Sequence, residues 1–162
     1  MSNINKEKKA IGVFYDSISE NYGERYKSEN LFTHEKYPAN YFRMQILLNR
    51  LSQSQIKSVY EVGVGRGSPL AMMHNMGYDV AGCDISKNMV DASRQTLINA
   101  GIEYPNIQIA DIEDSISFSN QLGEGFDAAI AFGVIPHVAN DALFINNLRM
   151  IIGGKGKVFV EF

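Results

Sequence analysis

Residues Val59-Tyr60-Glu61-Val62-Gly63-Val64-Gly65-Arg66-Gly67-Ser68 combine an apolar run, an acidic residue and three glycines at alternate positions. The apolar run predicts a buried β-strand. The glycines predict a turn that a ligand approaches closely, because glycine has no Cβ. Their spacing differs from the dinucleotide fingerprint, in which the third glycine comes one residue later. A tight strand-to-helix turn without a ligand is the alternative, because one glycine-rich loop is a weak motif.

Acidic residues also follow the next two apolar runs. Asp84 ends the run that starts at Tyr78, and Asp111 comes directly after residues 106–110. The carboxyl ends of parallel strands meet at one edge of a sheet, so these acids and Glu61 are expected to lie close together. A carboxylate after the second strand can accept hydrogen bonds from a ribose diol. The alternative is that Asp84 only helps to start a helix capped by Ser86.

Helical patterns alternate with the strands. Two more apolar runs, residues 126–132 and 157–162, predict a fourth and a fifth strand. Apolar periodicity predicts a first helix over about residues 10–23, with Ile11, Phe14, Tyr15, Ile18 and Tyr22 on its inner face. Periodicity and capping residues predict four further helices: from Tyr37-Pro38 to before Ser52, over 69–76, from Ser86 to Gly101, and from Asn140 to Gly153. Residues 119–125 are expected to form a surface loop.

The predicted fold class is α/β: a doubly wound, Rossmann-like, mostly parallel sheet with helices on both faces and N-terminal helices before it. We expect one domain overall, because 162 residues leave no room for a second. Within it, residues 1–55 form a helical lid or cap segment and residues 56–162 form the ligand-binding core.

The composition excludes several classes of protein. Apolar residues make up 45% of the chain, but no apolar run approaches the ~20 residues of a membrane span. The N-terminus lacks the apolar core of a signal peptide. A net charge of −3 does not provide the basic surface that nucleic-acid phosphates require. We therefore predict a cytoplasmic protein without a membrane or nucleic-acid partner.

Cysteine, histidine and lysine positions add three expectations. The single Cys83 cannot form an internal disulfide and should be a buried apolar residue, which fits a reducing compartment. The histidines at 34, 74 and 137 are too scattered to form a metal site, so no metal is predicted. The cluster of Lys6, Lys8 and Lys9 is expected to be a frayed, solvated end.

The set of motifs and their order along the chain resemble those of the class I S-adenosylmethionine-dependent methyltransferases of the small-molecule type. The resemblance covers roughly residues 56–162 and depends on Glu61-x-Gly63-x-Gly65-x-Gly67, Asp84, Ala110-Asp111-Ile112, Phe126-Asp127-Ala128 and Gly153-Gly154-Lys155-Gly156. Phe14-Tyr15-Asp16 with Tyr22 is also similar to the leading helix of these enzymes. Residues 131–134, Ala-Phe-Gly-Val, depart from the Asn/Asp-Pro-Pro-aromatic motif of enzymes that methylate amino groups of nucleic acids. The acceptor is therefore expected to be a sugar, a lipid precursor or another metabolite.

The resemblance implies S-adenosylmethionine as the cofactor and a role for each motif residue. Gly63, Gly65 and Gly67 would receive its methionine part, and Glu61 would lie near the ammonium group. Asp84 would bind the ribose hydroxyls, with Ile85 and Met89 beside the adenine. Asp111 would accept from the adenine amine, Ile112 would cover a ring face, and Phe132 with Gly133 would lie beneath the sulfonium.

Transfer of a methyl group from a sulfonium is an in-line displacement, so no protein nucleophile is required. His137 follows the fourth strand and is the candidate general base, because imidazole titrates near neutral pH. The alternative is that His137 orients the segment after it. The tyrosines at 15, 22 and 26 are candidates for a lid over the cofactor, and the alternative for Tyr15 and Tyr22 is a place in the core.

The sequence leaves two other functions open. One alternative is an NAD(P)-dependent Rossmann oxidoreductase, which shares the architecture and the acid after the second strand. Another is a non-catalytic subunit that binds the cofactor for a partner, and a homodimer is also open. The family resemblance implies two strands beyond the fifth, so the C-terminal strands are expected to be truncated and the fragment less soluble than a longer chain.

Overall fold

The computed structural model describes residues 3–23, 31, 33, 35–114, 125–153 and 156–161. Within these residues, the helices are α1 (Asn3–Gly23), α2 (Pro38–Ser52), α3 (Ser68–Asn75), α4 (Lys87–Asn99) and α5 (Asp141–Ile151), with a 3₁₀ helix at Ile135–His137. The strands are β1 (Ser58–Val62), β2 (Asp79–Asp84), β3 (Asn106–Ile109), β4 (Ala128–Ala131) and β5 (Lys157–Val160). The predicted loop at 119–125 lies outside the described residues except for its last residue.

The strands form one parallel sheet in the order β3-β2-β1-β4-β5. Val59 in β1 pairs with Val80 in β2 and with Ala128 in β4. Strands β2 and β3 therefore extend the sheet on one side of β1, and β4 and β5 extend it on the other side. The change of direction between β1 and β4 opens a crevice at their carboxyl ends, where ligands bind in such sheets.

Both faces of the sheet are covered, which confirms the predicted doubly wound architecture. On one face, Val59 packs in an apolar cluster with Leu47 of α2, Leu70 of α3 and Val90 of α4. The other face carries Tyr60 and Cys83, and it packs against α5. Successive strand residues point to opposite faces, so both sides of a central strand must be apolar. Cys83 is fully buried, as predicted.

Local sequence signals set the ends of several helices. The Ser86 hydroxyl accepts a hydrogen bond from the N–H of Met89 at 3.1 Å and so caps α4. The Asn140 side chain accepts from the N–H of Leu143 at 3.1 Å at the start of α5. These caps, and Pro38 at the start of α2, lie where the sequence predicts them.

Helix α1 differs from the prediction in its length and in its inner face. It begins at Asn3 instead of near residue 10. Phe14, predicted to be inside, is 55% exposed. Among the side chains that the structure describes, the inner side of the helix consists of Lys8, Ile11, Gly12, Tyr15, Asp16 and Ile18. The apolar pattern was therefore wrong at Phe14 and right at Ile11, Tyr15 and Ile18. It could not show the charged residues of this side, because α1 packs over a polar edge of the sheet, where Lys8 and Asp16 find partners. Of the described helices, none is long and apolar enough to cross a membrane.

Candidate active site

The glycine loop after β1 turns across the carboxyl end of the sheet. Gly63 has a φ of +75°, and the N–H groups of Gly63 and Val64 donate to the Cys83 carbonyl at 2.8 and 3.0 Å. A Cβ on Gly63 would lie 2.7 Å from the Val134 side chain. Both the backbone conformation and this close approach therefore require glycine at position 63.

The third glycine has a different place from the first two. Gly67 precedes α3 with a φ of +79°, and a Cβ there would lie 2.6 Å from the Ser93 hydroxyl oxygen on α4. It lines neither of the two cavities described below. Its position explains how α3 and α4 pack closely, and its predicted contact with a cofactor stays a prediction.

Asp84 at the end of β2 is buried and holds the glycine loop. Its carboxylate accepts hydrogen bonds from the N–H groups of Gly65 and Ser86, each at 2.9 Å. Burial raises the pKa of Asp84, and these N–H groups offset only part of that rise. Asp84 therefore connects the ends of β1 and β2, and its position also makes the Ser86 cap of α4 possible.

Glu61 is the most unusual acid of the site. The side chain is buried at 4% exposure, and no described residue hydrogen-bonds its Oε2 atom. Burial raises its pKa to about 8, the Asp84 charge adds to the rise, and the positive charge of Arg43 opposes it. A buried polar atom without a hydrogen-bond partner is costly, so Oε2 of Glu61 is a candidate contact for a bound ligand.

The raised pKa of Glu61 predicts a pH-dependent stability. The folded chain keeps the Glu61 proton between about pH 4.5 and pH 8, whereas the unfolded chain has released it. The free energy of unfolding should therefore fall as the pH rises through this window, by an amount on the order of a few kcal/mol. Urea unfolding of the wild type and Glu61→Gln at pH 5, 6.5 and 8 measures this. A Glu61→Gln curve that falls as steeply as the wild type would contradict it.

Helix α1 crosses the carboxyl edge and is tied to the acids after β3. Lys8 Nζ lies 2.7 Å from a carboxylate oxygen of Asp111 and 2.7 Å from one of Glu113. Burial lowers the pKa of Lys8, but the two acids outweigh burial and raise it overall. The prediction of a solvated end is therefore wrong for Lys8. The lysine pattern could not show this, because both partners are more than 100 positions away in the chain.

Two further contacts hold α1 over the site. The Tyr15 hydroxyl and the Nε2 atom of His137 are 2.8 Å apart, and their rings meet edge to face at 5.5 Å. Asp16 accepts hydrogen bonds from the Ser86 hydroxyl and from the N–H of Asn88. Tyr15 thus contacts the site instead of the core. The Tyr22 side chain and Tyr26 lie outside the described part of the chain, so their lid role stays a prediction.

These elements enclose two adjoining cavities. The larger, called here the main cleft, lies between α1 and the ends of β1, β2, β3 and β4. Its lining consists of Lys8, Ile11, Tyr15, Val62, Gly63, Gly65, Asp84, Ile85, Met89, Ala110, Asp111, Ile112, Glu113, Phe132, Gly133, Val134, His137 and Val138. The smaller, called here the side cavity, continues under the glycine loop toward α2. It is lined by Leu31, Asn40, Arg43, Met44, Glu61, Gly63, Val64, Gly65, Arg66, Pro69 and Phe132.

Comparison with known proteins decides the family. A family model for the methyltransferase domain matches residues 60–160 of the chain. The chain belongs to the methyltransferase domain family. This match confirms the resemblance to the class I S-adenosylmethionine-dependent methyltransferases, and with it the predicted enzyme class and cofactor.

Solved structures support the fold of this methyltransferase. The magnesium protoporphyrin IX methyltransferase of Synechocystis PCC 6803 with bound SAH has 18% identity and a TM-score of 0.66, and the match covers 90% of this chain and 68% of that chain. A TehB-like SAM-dependent methyltransferase from Corynebacterium glutamicum has 21% identity and a TM-score of 0.65, with 90% and 73% covered. The sugar N-methyltransferase KedS8 from a Streptoalloteichus species has 21% identity and a TM-score of 0.56, with 74% and 45% covered. No curated protein sequence matches the chain significantly.

The structure of this methyltransferase brings most of the predicted site residues together. In the main cleft are Gly63, Gly65, Asp84, Ile85, Met89, Asp111, Ile112, Phe132, His137 and Tyr15, while Glu61 faces the side cavity. Sequence reasoning missed Lys8, Asp16, Arg43 and Glu113. Glu113 accepts from the N–H groups of Ala139 and Asn140, so it also positions the segment after His137. The one signal for Glu113 in the sequence was its position two residues after Asp111.

Proposed function

We propose that this methyltransferase transfers a methyl group from S-adenosylmethionine to a small-molecule acceptor by in-line displacement. The observation that carries the proposal is the buried Glu61 carboxyl group in the side cavity, which adjoins, at the glycine loop, the main cleft with Asp84 and Asp111. A donor with an ammonium group, a ribose and an adenine matches this order of acids. The small-molecule acceptor is supported by the relatives, one named for a magnesium porphyrin and one for a sugar.

The proposed roles follow the positions of the side chains. Glu61 would contact the ammonium group. Each carboxylate oxygen of Asp84 accepts one backbone N–H bond, from Gly65 or Ser86, and its remaining lone pair could accept a hydrogen bond from a ribose hydroxyl. Met89 and Ile112 would pack on the adenine, and Phe132 would lie beneath the sulfonium. Asp111 already binds Lys8, so the adenine amine would have to share this carboxylate or displace the lysine.

The acceptor would enter between α1 and the segment after β4. His137 and Tyr15 line the main cleft there, and they are joined by their 2.8 Å contact. An acceptor hydroxyl or ammonium group must lose a proton to be methylated, and the His137 imidazole could take it, either directly or through the Tyr15 hydroxyl, which would pass its own proton to Nε2. Helix α1 also covers the site and would keep water from the reacting groups.

The proposal is tested first by binding and then by turnover. Calorimetry with S-adenosylmethionine, S-adenosylhomocysteine and NADH should show binding of the two sulfur ligands alone. At pH 7 binding of these two ligands should release protons, because their ammonium group favours the ionised form of Glu61. The measured heat of binding should therefore vary with the ionisation enthalpy of the buffer. S-adenosylhomocysteine release is then followed with porphyrin, amino-sugar and lipid-precursor acceptors. Binding of NADH alone would support the oxidoreductase, and binding without any turnover would support the non-catalytic subunit.

A further inference from the structure

Glu113 holds the segment that follows His137. Its Oε2 atom accepts a hydrogen bond from the N–H of Ala139 at 3.0 Å, and its Oε1 atom accepts one from the N–H of Asn140 at 2.6 Å. The Glu113 side chain is 5% exposed. Burial raises the pKa of Glu113, but the contacts with Lys8 and with these N–H groups outweigh burial and lower the pKa overall. Both oxygens of an ionised carboxylate therefore fix the chain just beyond His137.

Lys8 connects Glu113 with helix α1 and with Asp111. Its Nζ atom lies 2.7 Å from a carboxylate oxygen of each acid, and the lysine side chain is 13% exposed. Tyr15 follows about two turns later on the same side of α1 and contacts His137. Helix α1 therefore meets the segment after β4 twice, directly at His137 and through Glu113 just beyond it. Lys8 is shared between an acid of the proposed donor side and an acid that holds the proposed acceptor side.

The Asp111 carboxylate already accepts from two donors. Its Oδ1 atom accepts from the N–H of Glu113 at 2.9 Å, and its Oδ2 atom accepts from Lys8 at 2.7 Å. The proposed function brings the adenine amine to this carboxylate, which lines the main cleft together with Lys8. The hydrogens of an amine and of an ammonium group carry charge of the same sign, so the two donors compete for Oδ2. Glu113 offers the lysine a second carboxylate, which the lysine already contacts.

We propose that the adenine of the donor displaces Lys8 from Asp111, and that Lys8 then pairs with Glu113 alone and fixes the segment that carries His137 for the acceptor. Lys8 is a positioning residue that links donor binding to the acceptor side. This inference rests on the proposed function, and it predicts that the donor binds before the acceptor.

Calorimetry tests the displacement with S-adenosylhomocysteine and with an analogue in which hydrogen replaces the adenine amine. Lys8→Met keeps the approximate length of the side chain and removes the competing ammonium group. It should tighten binding of S-adenosylhomocysteine by about two- to tenfold, the range of one hydrogen bond, and leave the analogue unchanged. Glu113→Gln should have the opposite effect, because Lys8 then pairs with Asp111 alone, and only S-adenosylhomocysteine should bind more weakly. Lys9→Met is the matched control, because Lys9 is exposed on the same helix.

Amide hydrogen exchange at Ala139 and Asn140 tests the link to the acceptor side without turnover. In the wild type, S-adenosylhomocysteine should slow exchange at both amides severalfold, whereas the analogue without the amine should not. Lys8→Met should abolish this slowing and lower kcat although it binds the donor more tightly. A general loss of structure does not produce tighter binding together with slower turnover.

Three results would overturn the inference. If Lys8→Met binds S-adenosylhomocysteine with wild-type affinity, or changes the affinity for both ligands equally, the displacement is wrong while the proposed function stands. If exchange at the two amides is the same with and without S-adenosylhomocysteine, the link to the acceptor side is wrong. A wild type that binds neither ligand would overturn the proposed function as well.

Discussion

Replacement of His137 by alanine should lower kcat for methyl transfer by roughly 10²–10⁴-fold, the usual contribution of a general base. The side chain lines the main cleft beside Phe132 and Gly133, on the proposed acceptor side, and contacts the Tyr15 hydroxyl at 2.8 Å. The affinity for S-adenosylmethionine should change little, because none of the proposed donor contacts involves His137. The kinetic split between kcat and donor affinity therefore separates a base from a residue that only shapes the site.

The measurement is steady-state kinetics from pH 5.5 to 9 with an acceptor found in the turnover screen. His74→Ala is the control, because His74 lies in the last turn of α3 and lines neither cavity. Tyr15→Phe keeps the ring and removes the hydroxyl, and a double variant that loses no more kcat than His137→Ala alone would show that the two act as a pair. A His137→Ala enzyme with full kcat and an unchanged pH profile would contradict the base role, and the orienting role would remain.

Replacement of Asp84 by alanine should weaken S-adenosylmethionine binding by about ten- to a hundredfold. Hydrogen bonds to a charged acceptor contribute about 1.5–3 kcal/mol, and the ribose diol would lose its acceptor. The structure adds a second effect, since the carboxylate also accepts from the N–H groups of Gly65 and Ser86. Loss of these bonds, at a cost of about 2 kcal/mol, should lower the melting temperature by roughly 4–8 °C.

Calorimetry well below the melting temperature measures the first effect, and scanning calorimetry measures the second. Asp79→Ala is the matched control, because Asp79 is an exposed residue at the other end of the same strand. It should change neither quantity by a comparable amount. An Asp84→Ala variant with a lowered melting temperature but wild-type affinity for S-adenosylmethionine would show that Asp84 only supports the glycine loop and the Ser86 cap. A role limited to the start of the helix is the alternative that the sequence left open.

Individual elements show why the fold was predictable and parts of the site were not. Strand β1, with Glu61 next to its last residue, and the Ser86 cap are local patterns, and each element lies where its own residues place it. The start of α1 was missed because residues 3–9 carry no apolar period. The partners of Lys8 and Arg43 were missed because Asp111, Glu113 and Glu161 reach them only through the folded chain.

The sequence by itself determined the alternation of strands and helices, the parallel sheet and the family, because hydrophobic period, glycine spacing and capping residues act over a few positions. It also placed Glu61, Asp84 and Asp111 at strand ends, and parallel strands bring such ends to one edge. Only the tertiary structure decided that Gly67 packs against α4, that α1 presents Lys8, Tyr15 and Asp16 to the site, and that Arg43 faces Glu61. The physical reason is that charge pairing and close packing depend on distances across the folded chain, which spacing along the sequence does not contain.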